Sequence, residues 1–253
     1  MKALAITNQK GGVGKTTTAV NLAACLAAEG RRVLLIDLDP QGNATTGAGI
    51  TKKEALPTVY QLLIGAATLA EVCIATDFGF DVLPANRELA GAEVELIELD
   101  QREYRLKNAL QAGHASYDFI LIDCPPALNM LTVNGLVAAD SVLIPMQCEY
   151  YALEGLSDLV ETLRKVRAHL NSRLEIEGLL RTMYNPQSTL TQQVSGELES
   201  HFGSKVYQTI VPRNVRLAEA PSYGKPVIAF DKSSKGAQAY SALAKEILER
   251  VAP

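Results

Sequence analysis

The chain has 253 residues, 47% hydrophobic and 21% charged, an ordinary composition for a water-soluble protein of one α/β domain spanning 1–253. A formal charge of −4 excludes a globally basic nucleic-acid binder, and no apolar run approaches the roughly 20 residues of a membrane span. The charge is uneven: net +2 over residues 1–50, −5 over 51–118, −5 over 119–200 and +4 over 201–253, so the C-terminal part can build a local basic face.

Along the chain, short β-rich runs alternate with helical patterns, which predicts an α/β fold: a mostly parallel twisted sheet with helices on both faces. "KALAIT" (2–7) reads as the first strand. Its position at the very start leaves no room for a signal peptide and predicts a cytoplasmic protein. A helix follows over 16–30, with Val20, Ala23, Ala24 and Ala27 at helical spacing and Gly30 as its C-cap. "RVLLIDLD" (32–39) is a continuous apolar run that suits a buried parallel strand. Residues 40–57 read as loop and 58–75 as short helices, with "FDVLPA" (80–85) as a further strand. A charged, mainly helical stretch covers 88–112, and "DFILIDCPP" (118–126) is a buried strand stopped by two prolines. After a helix near 129–138, strands are predicted at 141–146, within 175–185 and at 205–212. The remaining helices are predicted at 153–170, 189–201 and 235–251. Cys25, Cys73, Cys124 and Cys148 form no C-x-x-C pair and read as reduced thiols. His114, His169 and His201 read as surface residues.

The chemistry concentrates in "NQKGGVGKTTT" (8–18). A strand feeds this glycine loop and the loop opens a helix, the context of a phosphate-binding loop. Gly11, Gly12 and Gly14 allow backbone N–H groups, Val13 among them, to turn around a polyphosphate, and the helix N-terminus adds positive partial charge. Lys15 should reach the β- and γ-phosphates of ATP, Thr16 should offer its hydroxyl to Mg²⁺, and Thr17 should contact the α-phosphate. The first glycine of the usual pattern is replaced by Gln9, and a second lysine, Lys10, follows. Two more strands end in acids, Asp123 in "LIDCPP" and Asp37 and Asp39 in "LIDLDP". Parallel strands bring such ends to one edge, where an acid can hold the Mg²⁺ shell or orient the attacking water. Pattern alone leaves open which of Asp37 and Asp39 does so.

Long strings of the chain resemble the deviant-Walker ATPases, and within them the ParA/Soj chromosome-partitioning proteins: "NQKGGVGKTTTAVNLAACLA", "VLLIDLDPQGNAT", "LIDCPP", "QCEYYALEGL" and "VPRNVRLAEAPSYGKPV". The resemblance covers nearly the whole chain. It implies an ATP hydrolase of weak intrinsic activity. It also implies that Lys10 reaches across an ATP-sandwich homodimer to the partner's phosphates. Asp39 would position the hydrolytic water, Asp123 would be the switch acid, and Pro212 and Asn214, with Asn185, would lie on the adenine side. The family binds double-stranded DNA without sequence preference as the ATP dimer and answers to a ParB-type centromere-binding protein, which implies association with the nucleoid. The basic tail offers Arg213, Arg216 and Lys225 for DNA. Gln187 stands where many relatives carry an arginine, which moves the weight to Arg213 and Arg216.

Three other readings share the loop. A MinD-like membrane-associated positioning ATPase usually keeps a glycine at the position of Gln9 and ends in a basic amphipathic helix. "SALAKEILERVAP" reads instead as a core-packing or solvated helix, so no membrane partner is expected. An iron–sulfur electron carrier would need cluster contexts around its cysteines that are missing here. An ATP-dependent carboxylase or amidoligase would need a substrate pocket, and no His or Cys set in 40–115 suggests one.

Overall fold

In a parallel sheet covered on both faces a strand has no solvent side, so its sequence becomes a nearly continuous apolar run. The computed structural model, which describes residues 1–113 and 117–251, turns those runs into one sheet. The strands are Lys2–Ile6 (β1), Val33–Asp37 (β2), Ile74–Ala75 (β3), Asp81–Leu83 (β4), Phe119–Asp123 (β5), Ser141–Gln147 (β6), Glu175–Tyr184 (β7) and Val206–Pro212 (β8). Their order across the sheet is β3-β4-β2-β5-β1-β6-β7-β8. Every pairing is parallel except that of the short edge strand β3 with β4.

The helices are Lys15–Ala28 (α1), Asn43–Gly47 (α2), Val59–Ile64 (α3), Leu69–Val72 (α4), Leu89–Glu95 (α5), Arg105–Ala112 (α6), Met130–Ala138 (α7), Ala152–His169 (α8), Thr189–Phe202 (α9), Val215–Glu219 (α10), Val227–Phe230 (α11) and Lys235–Val251 (α12). Strand alternation divides the core. Leu34, Ile36, Ile120 and Ile122 face one layer, which includes Leu63, Leu89, Leu136 and Leu159 of α3, α5, α7 and α8. Leu4, Ile6, Leu35 and Leu121 face the other, with Leu22 and Leu26 of α1 and Tyr240, Leu243 and Ile247 of α12. The apolar side of α12 is therefore spent inside the protein.

Two boundaries matter for the site. The strand expected over 32–39 stops at Asp37, and 40–57 is not all loop, because α2 forms there. The cause is Asp37 itself. Its fully buried carboxylate accepts from Thr45 N at 2.8 Å, Thr45 Oγ1 at 2.7 Å and Asp39 N at 3.1 Å, so the chain folds back onto the strand end. Between β8 and α12, α10 and α11 flank a turn of 3-10 helix at Ala220–Tyr223. His169 and His201 lie at the ends of α8 and α9, and His114 lies outside the described residues.

Candidate active site

Register decides what meets at the sheet's C-terminal edge. Asp123 pairs with Ile6 on one side and with Asp37 on the other. The ends of β1, β2 and β5 thus lie side by side, and the loop after β1 runs over the acids.

That loop is tied down from the strands on the other side of β1. Asn8 Nδ2 donates to Pro145 O at 2.9 Å, Gln147 Nε2 to Gly12 O at 3.1 Å and Thr182 Oγ1 to Val13 O at 2.8 Å. Gly12 and Gly14 have φ of 75° and 90°, a region L side chains rarely adopt, and a Cβ at Gly11 or Gly12 would meet nothing within 4 Å. The loop is an open cradle rather than a packed turn. Gly14 is the N-cap of α1 and offers no side-chain cap, and no acid stands in the first turn, so the helix N–H groups are left for an anion.

Lys15, 7% exposed, turns inward and donates from Nζ to Lys10 O at 3.1 Å. Burial lowers its pKa, against the pull of Asp123 and Asp39. Lys10 turns outward and pairs with Glu149 at 2.5 Å, both side chains about half exposed. Gln9 reaches α8, its Nε2 lying 3.5 Å from Thr162 Oγ1. Thr16 and Thr17 border a cavity of about 270 Å³ shared with Asn43, Thr46, Pro221 and Lys225.

The three acids differ. Asp37 is consumed by its contacts to Thr45 and Asp39, and burial still pushes it up to about 6. Asp39 is partly exposed, and its Oδ1 accepts from Gln41 N at 2.9 Å. Asp123 is fully buried with no hydrogen-bond partner on either oxygen. Burial first, then the Asp37 carboxylate, push it well up, while the Thr16 hydroxyl and the Lys15 ammonium nearby pull the other way. An orphaned carboxylate beside a threonine hydroxyl and under an open phosphate cradle fits a hydrated Mg²⁺. Among the described residues no group of three or more His, Cys, Asp or Glu forms a separate metal site. Burial pushes the Cys124 thiol well up, as for a neutral buried thiol.

Asn185, Pro212 and Asn214 reach the same edge, since Tyr184 pairs with Pro212 in register. Asn185 Oδ1 accepts from Gln187 N, and Asn214 Oδ1 caps α10 by accepting from Arg216 N, both at 3.1 Å. The basic residues divide. Arg213 and Lys225 are exposed with no ion pair among the described residues, whereas Arg216 pairs with Glu219 at 2.7 Å and Asp231 at 3.3 Å. Sequence reasoning missed Asn8, Gln147 and Thr182, which hold the loop, and Met183, whose φ of 48° marks a strained position in the bulged end of β7 at the same edge. No local signal marks the bonds of Asn8, Gln147 and Thr182 that tie the loop to its neighbours, because each joins residues more than a hundred positions apart.

Comparison with known proteins agrees with this geometry. Residues 1–176 match a family described as an AAA domain. The chain is 57% identical to the sporulation initiation inhibitor protein Soj of Bacillus subtilis, over 97% of this chain and 98% of that one. It is 52% identical to the chromosome partitioning protein ParA of Caulobacter vibrioides, over 99% and 95%. Among solved structures it superposes on cobyrinic acid a,c-diamide synthase of Mycobacterium smegmatis, bound to an ATP analogue and magnesium, with a TM-score of 0.86 and 37% identity over 99% of this chain and 95% of that one. A plasmid partition protein of Borrelia burgdorferi bound to AMPPNP gives 0.84 and 27%, over 99% of each chain. On sequence, cradle and sheet topology together, the chain belongs to the ParA/Soj family of chromosome-partitioning ATPases.

Proposed function

We propose that the protein is an ATP-driven partitioning switch built on a single domain. ATP closes a homodimer, and the dimer binds duplex DNA without sequence preference. A ParB-type centromere-binding partner stimulates a slow hydrolysis to ADP and phosphate, which releases the DNA. The observation that carries this reading is the pair of lysines on one loop: Lys15 turned inward beneath the cradle and Lys10 turned outward on the surface. One serves the phosphates of its own subunit and the other those of the partner.

In this reading the polyphosphate lies on the N–H groups of Gly11, Gly12, Val13, Gly14, Lys15 and Thr16, with Thr17 at the α-phosphate and Asn185, Pro212 and Asn214 on the adenine side. Thr16 and Asp123 hold Mg²⁺, the carboxylate through water, and the ion when bound neutralises charge on the phosphates. Asp39, beside Lys15 and partly open to solvent, orients the attacking water and accepts its proton. Lys10 and Lys15 stabilise the charge that develops on the phosphoryl oxygens. Exposed Arg213 and Lys225, with Arg216 partly neutralised by Glu219 and Asp231, are the DNA contacts, which places the protein on the nucleoid. Against membrane recruitment stands α12, whose apolar face is buried. Among the described residues no helix is long and apolar enough to cross a membrane.

The test is sizing the protein with and without a non-hydrolysed ATP analogue, with random-sequence duplex present. A dimer that forms only with nucleotide and shifts with DNA supports the reading; a monomer under every condition overturns it. Asp39→Ala should still bind ATP while phosphate release falls by about 100-fold or more. Normal turnover in that variant removes Asp39 from the water-positioning role.

A further inference from the structure

Two side chains from neighbouring strands hold the carbonyls of the glycine loop. Gln147 ends β6, Thr182 lies in β7, and the two are partners in register across that pair of strands. From there they reach successive loop residues, Gln147 Nε2 donating to Gly12 O at 3.1 Å and Thr182 Oγ1 to Val13 O at 2.8 Å. Thr182 is 2% exposed, so its hydroxyl is a buried donor committed to one acceptor.

A trans peptide unit points its C=O and its N–H in opposite directions. A fixed Gly12 O therefore sets the N–H of Val13, and a fixed Val13 O sets that of Gly14. Both N–H groups point away from the strands that hold the loop. No backbone carbonyl among the described residues accepts from either of them. Each of these two peptide units is flanked by a glycine at positive φ, Gly12 or Gly14, and glycine leaves a peptide plane free to turn over. The clamps remove that freedom before a ligand binds, and a cradle ordered in advance binds more tightly. We propose that Thr182 and Gln147 are positioning residues of the phosphate cradle, which set the Gly12–Val13 and Val13–Gly14 peptide planes so that two N–H groups face the polyphosphate. The proposal rests on the nucleotide placement described above. Both residues act through the backbone of the loop.

The test titrates full-length wild type, Thr182→Val, Thr182→Ser and Gln147→Met with fluorescently labelled ADP and a labelled non-hydrolysed ATP analogue, each with Mg²⁺, and records the Tm of each protein. Valine keeps the shape of threonine without the hydroxyl, and serine keeps the hydroxyl without the methyl. Thr182→Val should bind both nucleotides about tenfold or more weakly, the scale of one hydrogen bond to a charged group. Thr182→Ser should bind them nearly as wild type does. Gln147→Met should weaken both by roughly a few-fold, because Gly12 is exposed and water can replace the amide. Wild-type affinity in either variant that lacks the donor overturns the proposal, whatever its Tm. So does an equal loss in Thr182→Val and Thr182→Ser, which would assign the effect to packing. Wild type that binds neither nucleotide, read in its own arm, overturns the nucleotide placement and this proposal with it.

Discussion

Lys10 and Glu149 form an exposed ion pair, and such pairs contribute only about 0–1 kcal/mol, so a polyphosphate across a dimer interface readily draws the lysine away. Glu149→Gln should therefore lower the ATP concentration needed for dimerisation by roughly a few-fold, with little change in Tm. Unchanged or weaker dimerisation in sizing runs would show that the pair does not hold the lysine back. Asp123 carries the opposite lesson. A carboxyl whose folded pKa lies above its unfolded value, about 3.9, contributes full stability below that value and loses it as pH rises through the folded one. Burial and the neighbouring Asp37 raise Asp123, and Asp37, raised to about 6, has the same sign. In nucleotide- and Mg²⁺-free buffer, Asp123→Asn should gain Tm over wild type as pH rises from about 5 to about 8. Its ATP turnover should collapse. A Tm difference flat across that range in calorimetry would rule out the buried charge as the source.

At the scale of elements, α12 closes one face of the sheet and braces the site from behind. Tyr240 of α12 lies 3.1 Å, oxygen to oxygen, from Thr18 of α1, the helix whose N-terminus is the cradle. Glu246 accepts from Gln208 N at 2.8 Å and Thr209 N at 2.9 Å, which quiets the free edge of β8. Leu243 is fully buried, so Leu243→Ala should cost about 2–5 kcal/mol and lower the Tm, as denaturant unfolding would measure. The same burial predicts that ATP leaves liposome co-sedimentation unchanged. The element least legible in sequence is α2, a five-residue helix in a stretch rich in Gly and Thr. It exists because Thr45 bonds the buried Asp37, a contact between residues eight apart that local propensity does not encode.

For the whole molecule, dimerisation doubles every surface contact. Each phosphate neutralised adds about 0.9 to the slope of log affinity against log salt, so losing one cation from each subunit removes about 1.8 from a dimer's slope. Arg213→Ala and Lys225→Ala should each lower the slope by about that amount, whereas Arg216→Ala should lower it less, because Glu219 and Asp231 already engage that guanidinium. Equal slopes for all three variants, measured by anisotropy across a salt series, would mean that these ion pairs open on DNA.

The strand–loop–helix of the cradle and the mostly parallel sheet were legible along the chain, and the family in the resemblance of its long strings. The cradle and the sheet rest on local signals: glycines where φ must turn positive, apolar runs where both faces are covered, acids at strand ends. The sequence also named Asp37 and Asp39 together without separating them. Packing separates them: Asp37 is a buried fastener and Asp39 the more open acid, because the strand stops at Asp37 and Thr45 folds back upon it. The same holds for Lys10 on Glu149, for the unpartnered Asp123 and for the neutralised Arg216. Each of these depends on which distant or folded-back group arrives beside the residue, and side-chain contacts of that kind are set by packing rather than by the pattern along the chain.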